Sequence, residues 1–114
     1  MINYTTPTYP IIVEGKDLTG QDVWVTFKQG EIKLNKKGAD LTITTETHDQ
    51  VTDTIITTTF SQRETAMFDP GMRVKLMVNY INDQGVRDAT NKATIEVFEN
   101  LLDREIAYGD ANGD

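Results

Sequence analysis

Residues 52–71 read TDTIITTTFSQRETAMFDPG. The first nine positions are mostly threonine and isoleucine, whose stiff β-branched side chains favour a pleated strand over a helix. Alternation places Ile56, Thr58 and Phe60 on one face and Ile55, Thr57 and Thr59 on the other. Ser61 and Glu64 then stand at capping-box spacing, in which the serine accepts from the third amide and the glutamate reaches back to the cap. Thr65, Ala66, Met67 and Phe68 follow, and Pro70 ends the element. The spacing predicts one short helical turn near residues 61–67, with Ala66, Met67 or Phe68 plugging the end of a core.

The same period of two runs outward in both directions. Residues 22–29, DVWVTFKQ, set Val23, Val25 and Phe27 against Trp24, Thr26 and Lys28. Residues 31–36 (EIKLNK), 41–45 (LTITT), 73–81 (RVKLMVNYI) and 92–98 (KATIEVF) alternate likewise, the last with Ala93, Ile95 and Val97 inward. Residues 9–14, YPIIVE, make a first strand, with Pro10 best tolerated at a sheet edge. Turn chemistry separates these runs: Gln29-Gly30, Asn35-Lys36-Lys37-Gly38, Asp69-Pro70-Gly71 and, most clearly, Asn82-Asp83-Gln84-Gly85. About seven short strands with closely spaced turns, and a helical turn between the fifth and sixth, predict an all-β immunoglobulin-like sandwich. A small β-barrel has the same period and is the alternative. Residues 100–106, NLLDREI, are read as a helical turn or an irregular segment. The domain is expected to span residues 1–107, with 108–114 a flexible acidic tail.

Composition narrows function by exclusion. The 114 residues suit one domain. With 18 acidic and 11 basic residues the formal net charge is −7, which repels nucleic-acid phosphates and anionic membrane surfaces. The densest basic stretch is only Lys33, Lys36 and Lys37. No apolar run approaches the length of a membrane span. The N-terminus has no signal-peptide pattern, so synthesis in the cytoplasm is expected. Cysteine is absent, which removes disulfides, thiolate metal sites and thiol nucleophiles.

Candidate chemistry is sparse, and no catalytic residue, cofactor or metal is expected. A serine triad could use only Ser61 with His48, and neither sits in a nucleophile motif. Asp17 with Asp22, Asp49 with Asp53 and Asp83 with Asp88 flank loops, as acids commonly do. Asp110, Asn112 and Asp114 imitate the opening of a calcium loop but lack its later ligands. Three residues stand out for contact with a partner. Trp24 faces away from Val23, Val25 and Phe27; because a twisted sheet can bury both faces, a core position is favoured over a partner contact. Thr57 and Thr59 share a strand face suited to a flat neutral contact or to strand addition, against the plain reading of a solvent face.

Three stretches, VEGKDLTGQDVWVTFKQG, TTTFSQRETAMFDPGMRVKLMVNYINDQGVRDAT and IEVFENLLDREI, resemble small prophage-encoded proteins of Gram-positive bacteria. Those are similar to the N-terminal β-sandwich domain of siphophage upper baseplate proteins. The resemblance runs through Asp17-Leu18-Thr19-Gly20, Gln62, Glu64, Phe68, Pro70, Gly71, the turn at 82–85, Leu101 and Leu102. It implies a tail- or baseplate-associated virion protein that is not an enzyme. It would act on other phage structural proteins, and a homo-oligomer is compatible with it. The alternative is a small binding module that recognises carbohydrate or a host surface, which needs an exposed aromatic platform such as Trp24, Tyr80 and Phe98.

Overall fold

The computed structural model describes residues 1–112. In chain order the elements are β1 (Thr8–Val13), β2 (Asp22–Gln29), β3 (Ile32–Lys37), β4 (Leu41–His48), β5 (Val51–Thr59), α1 (Gln62–Ala66), β6 (Val74–Ile81), β7 (Arg87–Ala89) and β8 (Ala93–Ile95). They form two antiparallel sheets: β1-β5-β4, and β3-β2-β6-β7 with β8 also on β6. Among the described residues no ladder joins the sheets into a closed barrel.

Alternation sorts the side chains as the sequence implies. Val23, Val25 and Phe27 of β2, Ile56 of β5, and Val74, Leu76, Val78 and Tyr80 of β6 are buried in one core with Phe60 and Phe68. Phe27 meets Phe60 edge-to-face at 4.7 Å between centroids, tying one sheet to the other. The threonines of β5 split by face. Inward Thr54 bonds the Lys16 carbonyl and the Leu18 amide, and inward Thr58 bonds the Asp40 carbonyl. These buried hydroxyls anchor the loop after β1 and the 3-10 turn Gly38–Asp40 that carries the chain from β3 to β4.

The helical turn forms as its spacing predicts. Glu64 N donates to Ser61 Oγ at 3.1 Å, and Ser61 N donates to Glu64 Oε1 at 2.9 Å. Of the three proposed plugs Phe68 enters the core, Ala66 is half-buried and Met67 is exposed. Asn3 bonds the Thr65 and Phe68 carbonyls and so closes the C-terminal end of the turn.

Three local expectations are corrected. Asn35, Lys36 and Lys37 belong to β3, and the turn is at 38–40. The strand expected over 41–45 runs on to His48, and Asp49 and Gln50 make the hairpin turn with φ values of 50° and 65°, the left-handed pair of a type I′ loop. The strand expected over 92–98 is only Ala93–Ile95, with Ala93 exposed, and β7 precedes it, giving eight strands. The cause is a bulge: Asn79 pairs Ala89 but Leu76 pairs Ala93, so the return strand carries one extra residue between them. Thr90 bridges the break, bonding both the amide and the carbonyl of Val78. Of the two readings of residues 100–106, the structure shows the irregular segment, with neither helix nor strand.

Candidate functional site

Trp24 is not in the core. It lies on the outer face of β2, 38% exposed, because no third layer covers that face. The Lys37 ammonium sits 4.4 Å above its ring, and its ladder neighbours are Lys37 and Asn79. A shallow hollow of about 360 Å³ opens beside it, lined by Thr26, Asn79, Tyr80, Ile81 and Arg87. Thr57 and Thr59 lie on the outer face of the other sheet. Thr59 bonds Thr8 hydroxyl to hydroxyl at 2.8 Å, and half-buried Thr57 lies between Pro10 and Thr42. The fold therefore brings Thr57 and Thr59 together and sets Trp24 on the opposite outer face.

The fold separates Ser61 from His48. They lie at opposite ends of β5, whose nine residues span about 30 Å. Ser61 is committed to capping α1. His48 Nε2 instead meets Asp53 Oδ2 at 2.8 Å, and Asp53 Oδ1 accepts from the Gly15 amide at 2.8 Å. The Gly15 and His48 bonds tie the β4–β5 hairpin to the end of β1 and lower the Asp53 pKa. Asp17 is likewise lowered by the hydroxyl and amide of Thr19, within its own turn. Asp110 accepts from the Ala107 amide. Asp114 lies outside the described residues, and no group of three potential metal-ligating side chains occurs among those described. No described helix is long and apolar enough to cross a membrane.

One charged residue was missed as a buried group. Lys36 is buried, with its ammonium 2.7 Å from Glu64 Oε1, 2.8 Å from Oε2, 3.2 Å from the Thr59 carbonyl and 5.5 Å from the Phe60 ring centroid. Its signal was parity: Lys36 shares its strand face with Ile32 and Leu34. Burial disfavours the Glu64 carboxylate, but the Lys36 bonds and charge and the Ser61 amide outweigh it, so its pKa is lowered.

The aromatic platform does not assemble. Tyr80 is buried, while Trp24 and Phe98 are exposed and line separate hollows. Apolar exposure gathers on the segment after β8: Phe98, Leu101, Leu102, Ile106 and Tyr108 are all uncovered, Leu101 at 93%. The segment is nonetheless held. Gln62 donates to the Ile106 carbonyl at 2.6 Å and accepts from its amide at 2.8 Å, and Asn100 bonds the Asn3 carbonyl. The chain matches no family model, no curated protein and no solved structure.

Proposed function

We propose that this protein is a structural component of a phage or prophage particle, associated with the tail or baseplate and acting through protein–protein contacts. The observation that carries the contact reading is the segment 98–108. Its apolar side chains face solvent while polar bonds from Gln62 and Asn100 fix its backbone, an arrangement suited to meeting a partner in a preset shape. The phage assignment rests on the resemblance of the three quoted stretches.

We read the sandwich as immunoglobulin-like. The order β1-β5-β4 facing β3-β2-β6-β7, with crossings at β3–β4 and at β5–α1–β6, supports that reading. So does the parallel bridge from Ile2 to Phe98, which lays the N-terminus beside the segment that follows β8.

Deletion of the gene from an inducible prophage tests the function. The expected result is particles with absent or aberrant tails, restored by the gene in trans. Normal tails with normal infection contradict the proposal. Normal tails that fail to adsorb favour the host-surface binding module instead.

A further inference from the structure

The sheets present four lateral edges, and three carry protection against pairing with another chain. The edge at β1 holds Pro10, which has no amide hydrogen to offer. The edge at β3 carries Lys33, Lys36 and Lys37 in six residues. The edge at β7 and β8 is two three-residue strands broken by a bulge. Short strands, lysines, prolines and bulges are the devices that keep sheet edges from associating.

The edge at β4 has none of them. It is eight residues long, reads LTITTETH, and contains no proline or lysine. From Thr42 to His48 every residue is exposed, on both faces. Ile43 points to the core side, opposite Ile56, yet remains 38% exposed because the facing sheet does not reach over it. Pairing on one side only leaves alternate backbone groups of β4 without a ladder partner.

We propose that β4 pairs with β4 of a second copy of this chain, antiparallel about a two-fold axis normal to the sheet. The result is a continuous six-stranded sheet in the order β1-β5-β4-β4-β5-β1. The strand is self-compatible. A two-fold axis normal to the sheet requires one residue to face its own mate. Centred on Thr44, the register sets Ile43 against Thr45 and Glu46 against Thr42; centred on Thr45, it sets Ile43 against Thr47 and Glu46 against Thr44. Neither register opposes Glu46 to itself, so a protein of net charge −7 meets itself along a nearly neutral strand. Facing threonines and isoleucine are favourable cross-strand neighbours, and the contact is isologous and closed.

The absence of cysteine supplies a clean test. Single cysteines are placed at Thr42, Thr44, Thr45 and Thr47 and oxidised mildly. Facing residues of an antiparallel pair lie about 4.5–5.5 Å apart at Cα, within disulfide reach. The expected result is a dimer by light scattering and a disulfide formed at Thr44 or Thr45, with little at Thr42 and Thr47. Thr44→Lys and Ile43→Lys are expected to weaken the dimer by about tenfold or more, while Lys33→Glu on the β3 edge leaves it unchanged. Thermal unfolding of each variant shows that it is folded. A monomer at the highest soluble concentration overturns the proposal. So does a dimer that survives both lysine substitutions or cross-links at neither central position. These readouts need no phage particle, so they stand or fall apart from the virion reading.

Discussion

Lys36 and Glu64 form the tightest charged contact among the described residues, and removing one partner leaves the other stranded. Glu64→Ala is expected to cost about 3 kcal/mol in chemical denaturation, since it leaves the buried ammonium unpaired and opens the capping box. The double variant Lys36→Met with Glu64→Gln is expected to recover most of that loss, because an apolar replacement needs no partner. The pair also sets a pH dependence. Glu64 has a lowered pKa in the folded state, so its contribution is complete above its ordinary 4.5 and is lost as pH falls through the folded value. Glu64→Gln should therefore flatten the acid limb of the stability curve between pH 5 and its lower end, relative to the parent. Trp24 gives the contrasting case. Exposed under a lysine, it should tolerate alanine at a cost of about 1 kcal/mol or less in thermal unfolding. Unfolding of Trp24→Ala would remove the contact reading for that residue.

At the scale of elements, strands whose two faces differ in polarity were legible and exceptions to alternation were not. β2 is read to the residue because Val23, Val25 and Phe27 are apolar at strict period two with polar or exposed partners between them. α1 is legible because a capping box is a chemical pattern, satisfied here by two hydrogen bonds. Ser61→Ala is expected to destabilise by about 1 kcal/mol, read as a lower denaturation midpoint, with the inter-sheet core kept. The bulge between β7 and β8 was invisible because Thr90, Asn91 and Lys92 carry no signal that one of them lacks a ladder partner. Lys36 falls both at the end of the expected strand 31–36 and inside the expected turn 35–38, and only its parity with Ile32 and Leu34 points inward. The overhang of β4 depends on how far the opposite sheet extends, which no local pattern contains. The contact candidates divided similarly: Thr57 and Thr59 share a face as alternation requires, while the exposure of Trp24 depended on the missing third layer.

The whole molecule is elongated. Its radius of gyration is 16.4 Å, against roughly 13 Å for a compact domain of this length. Its extents are 55 × 30 × 26 Å. The exposed β4–β5 hairpin tip and the segment beyond Glu99 account for surface that the core does not use. Both leave groups uncovered: unpaired backbone on β4, and apolar side chains at Leu101, Leu102, Ile106 and Tyr108. A subunit with two such surfaces can join more than one neighbour, which suits a repeated component of a particle. Since Trp24 is the sole tryptophan and lies in the open, its fluorescence is expected to shift to shorter wavelength if assembly covers that face. An unchanged emission on assembly would place the contact elsewhere. Membership of the particle is tested by quantitative mass spectrometry of purified particles after prophage induction in the source strain. The expected result is this protein at several copies per particle, in fixed ratio to the other tail proteins. Its consistent absence from intact particles, with the protein present in the lysate, would overturn particle membership.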